Sequence, residues 1–291
     1  MSTVAVVAHA RKTLGGGLRE LRDVLAREGI TDPLWYEVKK SRRAPKRAHQ
    51  AVADGADLIF VWGGDGTVQR CLNAVAGTGA AVAILPAGTA NLLATNLHVP
   101  EDVTEAVRVG LHGNRRELDT GSVNGEHFAV MAGAGFDARM IAGADRARKD
   151  RLGRAAYLVT GASSLTARRV RATVDVDGQR FFKGKISMVL AANVGTIFGG
   201  VEVFSAAEPD NGLLELGVVT ARNPLDWART FGRVVVHSPE QSPFVQMTRG
   251  RSFRIRLGRK VPYELDGGDR PATRDLRIEV HPRSVTICVP A

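Results

Sequence analysis

The feature that most constrains this chain is the stretch Asp57-Leu58-Ile59-Phe60-Val61-Trp62, which runs straight into Gly63-Gly64-Asp65-Gly66-Thr67. An apolar run of this kind reads as a strand buried on both faces, and such strands lie inside parallel sheets covered by helices. The glycines let the backbone turn sharply and approach a ligand closely. Apolar residues recur at helical spacing over 68–76, so the turn opens a helix at about Thr67. The free N–H groups and dipole of a helix start favour a phosphate. Asp65 would repel phosphate directly, so it suits Mg²⁺ or a hydroxyl under activation. No Gly-Lys-Ser/Thr follows, so this is not a Walker A loop.

The surroundings extend the same pattern. Strand-like runs at 4–7, 35–38, 57–62 and 82–85 alternate with helical patterns at 18–27, 44–53 and 68–76. Pro86-Ala87-Gly88-Thr89-Ala90-Asn91 follows the run at 82–85 as a second loop. It reads either as a plain turn with a helix cap or, paired with the first loop, as part of one ligand site at the carboxyl ends of the strands. From about residue 126 the pattern becomes short strands at 174–176, 181–190, 213–219, 253–257, 261–265, 276–280 and 285–289. That spacing predicts an antiparallel sandwich or barrel, with one helical insert around 138–164. The expected architecture is an α/β domain with a parallel sheet over 1–125 and an antiparallel β-sandwich domain with a helical insert over 126–291.

Composition narrows the functional classes. The longest apolar runs fall well short of the roughly 20 residues that span a bilayer. The opening residues lack the order of a secretory signal, so a cytoplasmic location is expected. Cys71 and Cys288 are far apart and read as small core residues. The net charge of +10 is uneven: residues 1–125 hold 15 basic and 13 acidic groups, residues 126–291 hold 25 and 17. A basic second half suits a polyanion. Aromatic content is only 5%, without basic–aromatic interleaving, which argues against stacking on nucleic acid. Basic residues cluster at Lys39, Lys40, Arg42, Arg43, Lys46 and Arg47. They cluster again at Arg139, Arg146, Arg148, Lys149, Arg151 and Arg154, the preferred face for an anionic membrane.

The pair GGDGT and PAGTAN resembles the diacylglycerol kinase catalytic-domain family, which includes sphingosine and ceramide kinases and bacterial soluble lipid kinases. Leu118-Asp119-Thr120-Gly121, the segment 132–138 (AGAGFDA), Leu152-Gly153-Arg154, the segment 209–214 (PDNGLL) and the segment 264–267 (ELDG) match its further motifs in order. The resemblance implies an ATP- and Mg²⁺-dependent lipid kinase. It would pass the γ-phosphoryl group to a hydroxyl of a diacylglycerol-like or long-chain-base lipid, with transient membrane contact; a homodimer is compatible with it. It places Gly64, Asp65, Gly66, Thr67 and Thr89 on the nucleotide, with Ser41 at a family threonine position. Gly63, Gly88 and Asn91 complete the two loops.

Two departures touch the chemistry. The family's metal loop has Asp where this chain has Asn211, leaving Asp210 beside it and the carbonyls of Glu208 and Leu213 as matching ligands. The family's Asp-Gly-Glu reads Asp266-Gly267-Gly268 here, so the proton acceptor falls to Asp266, then Asp269, or to Asp65. Two alternatives stand beside the kinase: a catalytically weak nucleotide- or lipid-binding protein, and an NAD kinase, which shares a GGDG loop.

Overall fold

The computed structural model of the 291-residue chain describes residues 3–135, 169–197, 201–235 and 241–291. The chain divides into two compact units, Met1–Thr120 with Pro282–Ala291, and Gly121–His281. The expected helical insert around 138–164, the Leu152-Gly153-Arg154 motif, the end of the AGAGFDA segment and the second basic cluster lie outside the described residues.

The first unit alternates strand and helix: β1 (Val4–His9), α1 (Gly17–Arg27), β2 (Leu34–Val38), α2 (Ala44–Ala53), β3 (Leu58–Gly63), α3 (Asp65–Val75), β4 (Ala81–Pro86), α4 (Leu92–Asn96), α5 (Val103–His112) and the start of β5 (Asn114–Val123). The strands pair in parallel in the order β2-β1-β3-β4. Every residue of β3 and β4 is buried, as central parallel strands require. Trp62 is wholly buried, and its indole N–H donates to the Lys12 carbonyl at 2.9 Å, which ties the loop after β1 to β3. In α1, Leu21, Val24 and Leu25 form the buried stripe that the spacing predicts. Cys71 and Cys288 are both buried free thiols, and burial pushes them up to about 12 and about 11.

A fifth strand reaches this sheet from far along the chain. Thr286 and Ile287, near the end of β16 (Gly268–Val289), pair in parallel with Ala81 and Val82 of β4. The sequence reading leaves residues 282–291 in the second domain, because nothing local marks their return. Long-range contacts hold them: Asp119 Oδ1 accepts from the Arg283 N–H at 2.8 Å, and the hydroxyls of Thr120 and Ser284 lie 2.8 Å apart. The Asp119 side chain, part of the Leu118–Gly121 motif, is thus a buried brace.

The second unit is antiparallel. Its strands are β6 (Glu126–Phe128), β7 (Met131–Ala134), β8 (Val170–Val176), β9 (Gln179–Ile186), β10 (Met188–Ala192), β11 (Thr196–Ile197), β12 (Val201–Glu202), β13 (Leu214–Val219), β14 (Val245–Gly250), β15 (Ser252–Leu265) and most of β16. They pair in the order β14-β13-β10-β7-β15, with β8 on β15 and β9 on β8. Phe128, Ile186, Leu216, Ile255 and Leu276 belong to the core of this β-sandwich.

Three local readings change. The run read as one strand over 181–190 breaks at Ser187, whose N–H and hydroxyl both donate to the Val219 carbonyl at 2.8 and 2.9 Å. That break releases β10 from the path of β9. Conversely, the separate strands read at 253–257 and 261–265 are one strand, in which Gly258 and its neighbours make a register shift rather than a turn. The runs at 276–280 and 285–289 also join within β16. Helix α6 (Pro224–Val235) was not foreseen; Asn223 accepts from the Asp226 N–H at 2.9 Å at its start.

Helix α5 packs on β3 and β4 through Gly110. A Cβ at that position would lie 2.8 Å from the Ala83 Cβ and closer still to the Phe60 ring. Gly110→Ala should therefore destabilise the protein by about 1–3 kcal/mol in urea unfolding. An unchanged midpoint would show that α5 can shift without cost.

Candidate functional site

The loops after β3 and β4 emerge side by side, since Gly63 pairs with Pro86 at the strand ends. Gly64 is the N-cap of α3, and the helix starts at Asp65, two residues before the expected Thr67. Asp65, Gly66 and Thr67 are thus its first turn. The Thr67 side chain is buried: a Cβ on Gly63 would lie 2.6 Å from the Thr67 Cβ.

The glycines serve a purpose the sequence did not disclose. A Cβ on Gly64 would lie 2.9 Å from the Gly88 Cα, and one on Gly88 would strike Gly64 in turn and approach Asn91 Oδ1 to 2.5 Å. The two loops touch backbone to backbone, and side chains at 64 or 88 would force them apart. Asn91 adopts a left-handed φ of 48° and braces the second loop from within. Its Oδ1 accepts from the Gly88 N–H at 2.9 Å, and its Nδ2 donates to the Pro86 carbonyl at 2.9 Å.

The Asp65 carboxylate locks the arrangement. Its Oδ1 accepts from the Leu92 N–H at 2.6 Å, capping the short helix α4 from the other loop. Burial raises its pKa, while the backbone N–H groups of Leu92, Asp65, Leu93 and Asn91 pull it back down. Gly64, Gly66 and Gly88 remain partly exposed and Thr89 is exposed, so this surface of the loops is open to a ligand. Ser41 begins a 3-10 turn, Ser41–Arg43, after β2, on the same carboxyl edge of the parallel sheet. Lys39, Lys40, Arg42, Arg43 and Lys46 are exposed at that edge.

In the second unit, the turn between β15 and β16 carries three carboxyl groups. Asp266 is buried in a left-handed conformation with φ 44°. Its oxygens accept from the N–H groups of Ala129, Val130 and Met131 at 2.8, 2.9 and 2.8 Å. Both oxygens are thus committed to holding the chain, which leaves little capacity to take a substrate proton. Asp269 is exposed, opposite Glu264 in the hairpin. Gly268 stands where the family has Glu, and a Cβ there would lie 2.8 Å from Arg270 Nη1. Arg270 itself is paired with Glu126, its Nε donating to Glu126 Oε2 at 2.7 Å.

Glu264 is the residue that sequence reasoning passed over. It is only 5% exposed, and its Oε1 is buried with no hydrogen-bond partner among the described residues. Burial, followed by the negative charges of Asp269 and Asp266, pushes its pKa up to about 7. Strand alternation through Val261, Tyr263 and Leu265 would turn Glu264 outward, so the residue pattern held no signal for its burial.

The loop at 208–213 carries the expected metal-loop residues at the surface. Glu208, Asp210 and Asn211 are exposed, and Asn211 Oδ1 accepts from the Leu213 N–H at 2.9 Å, closing its own turn. Among the described residues no three His, Cys, Asp or Glu side chains converge on a point. A cation here would be held by the exposed Asp210 carboxylate and the carbonyls of Glu208 and Leu213 rather than by a carboxylate cluster.

Two outcomes follow. Asp65→Asn retains an acceptor for the Leu92 N–H and should fold with little loss, whereas Asp65→Ala should cost about 0.5–2 kcal/mol in urea unfolding; equal costs would remove the cap from its assigned place. For Glu264, a carboxyl raised from 4.5 to about 7 on folding binds its proton more tightly in the folded state. Stability is then lost as pH rises through this window, and Glu264→Gln should stabilise the protein above pH 7 by up to about 3 kcal/mol. Parallel stability–pH curves for the two proteins would refute that.

Comparison with known proteins bears on the family and the fold. Residues 10–123 match the diacylglycerol kinase catalytic domain, and residues 130–289 match the YegS C-terminal NAD kinase beta sandwich-like domain. The chain is 28% identical over 253 residues to a Cronobacter sakazakii protein named "Probable lipid kinase YegS-like", covering 85% of this chain and 83% of that one. It is 25% identical over 228 residues to the diacylglycerol kinase of Bacillus subtilis, covering 77% and 75%. A diacylglycerol kinase crystal structure from Bacillus anthracis shares the fold with a TM-score of 0.74 at 21% identity, covering 99% and 97%. An NAD kinase from Archaeoglobus fulgidus shares it more loosely, with a TM-score of 0.54 at 14% identity over 98% and 93%. With both halves matched in order, the chain belongs to the diacylglycerol kinase catalytic-domain family, joined to a YegS-type C-terminal β-sandwich.

Proposed function

We propose that this protein is an ATP-dependent lipid kinase that phosphorylates a hydroxyl of a diacylglycerol-like or long-chain-base lipid. The observation that carries this reading is the pair of glycine loops at the ends of β3 and β4, held together by the Asp65 carboxylate on the Leu92 N–H. A fixed, partly exposed backbone surface of this kind suits polyphosphate, because phosphoryl transfer is mainly positioning and charge neutralisation. In this reading Gly64, Gly66, Gly88 and Thr89 contact the nucleotide, and Asp65 positions the second loop. Mg²⁺ arriving with the nucleotide would supply charge neutralisation.

The acceptor hydroxyl must lose a proton. With Asp266 committed to three backbone N–H groups and Gly268 lacking a side chain, Glu264 is the carboxyl whose environment suits proton transfer: buried, with one oxygen free of partners among the described residues and a pKa of about 7. The missing carboxylate at Gly268 also motivates a second reading, a nucleotide- and lipid-binding protein with weak turnover.

The test is phosphate transfer from labelled ATP with Mg²⁺ to extracted lipid in mixed micelles, with NAD as a parallel acceptor. A labelled lipid is expected, with kcat rising with pH to a plateau through about 7. Glu264→Gln should lower kcat by about a hundredfold or more and remove that pH dependence. A full rate in the Gln variant would remove Glu264 from the mechanism. Labelled NAD with no labelled lipid would make the protein an NAD kinase. ATP binding without transfer, restored by Gly268→Glu, would favour the weak-turnover reading.

A further inference from the structure

The outer face of β9, β8 and β15 in the second unit is strongly cationic. Alternate residues of these strands are buried in the core, Val170, Ala172 and Val174 on β8 and Phe253, Ile255 and Leu257 on β15. Their neighbours therefore share the opposite face. Register brings them together: Arg171 lies opposite Lys185, and Thr173 lies between Lys183 and Arg256. A groove of about 610 Å³ runs among these side chains, with Gly258 leaving room beside Arg171 in its lining.

The carboxylates nearby are already taken. Asp175 pairs with both Arg180 and Arg256, and Asp275 pairs with both Arg254 and Arg277. Each acid neutralises only one of its two arginines. Arg171, Lys183 and Lys185 are exposed or lie at the groove and have no acidic partner among the described residues. The face thus carries a positive surplus that the fold itself does not use. Its outward side chains include no aromatic residue on which a base could stack, and a strand face is shallow and broad rather than a closed pocket.

We infer that this face is a docking surface for an anionic bilayer, with the groove around Arg171, Lys183 and Lys185 receiving lipid phosphate headgroups. It is distinct from the clusters at 39–47 and 139–154. The inference shares with the kinase reading only the premise that the substrate sits in a bilayer. Its test uses no nucleotide, so either can fail alone.

The experiment is sedimentation of the full chain with vesicles of phosphatidylcholine alone and of phosphatidylcholine with phosphatidylglycerol in equal parts. Binding should require phosphatidylglycerol and weaken with added salt. The exposed positions make Arg171→Gln, Lys183→Gln and Lys185→Gln compatible with folding. Each should reduce partitioning roughly fivefold, and the triple variant roughly a hundredfold. A control triple, Lys39→Gln with Arg42→Gln and Lys46→Gln, removes equal charge elsewhere and should retain most binding. Equal loss in both triples would reduce the effect to net charge and overturn the assignment. Unchanged binding in the groove triple would also overturn it. So would tight retention of single-stranded RNA, lost in that triple, without vesicle binding.

Discussion

One hydrogen bond organises the first unit's candidate site. The Asp65 carboxylate, in the first turn of the helix after β3, accepts the Leu92 N–H at the start of the helix after β4. Parallel strands bring their carboxyl ends to one edge, but nothing in a parallel ladder fixes two loops against each other there. The carboxylate does so by satisfying an otherwise orphaned donor of a five-residue helix too short to be stable alone. Once the loops are joined, their backbones meet at Gly64 and Gly88, and any side chain at either position becomes a wedge. The glycine content of the motif is therefore as much a consequence of loop–loop packing as of ligand approach.

The second unit uses a carboxylate in a similar way, with a different outcome. Asp266 gathers three successive N–H groups and is spent on architecture. Two positions earlier, Glu264 is buried without such donors on Oε1 among the described residues. Burial alone costs a carboxylate far more than burial with donors, so the two acids, neighbours in one hairpin, sit in opposite environments. The motif residue is the anchor, and its neighbour holds its proton up to about neutral pH.

Much of this was legible in the residues. The unbroken run at 57–62 announced a central parallel strand, and the loop after it announced the carboxyl edge where the two glycine loops meet. The antiparallel half was legible from the spacing of its strands. What stayed hidden depended on contacts distant in sequence. Residues 282–291 look like one more strand of the second domain, until β4 is seen to lack a partner on one side. Ser187 looks like an ordinary strand residue, until both its donors are found on Val219. Asn91 looks like a ligand contact, and nothing local shows that its side chain braces the loop from within. Glu264 was hidden for another reason: alternation is a rule for regular strands, and the register shifts in β15 break it before Tyr263.

The return of β16 to the first sheet bears on the order in which the molecule can be made. Strand β4 ends at residue 86, and its second neighbour arrives only at 286–287. On a ribosome, roughly 200 residues must emerge in between, which takes about 10–40 s. Throughout that interval β4 offers an unpaired, wholly apolar edge to any other nascent chain. The first four strands of that sheet are synthesised early, but the strand that closes the β4 edge follows roughly 200 residues later.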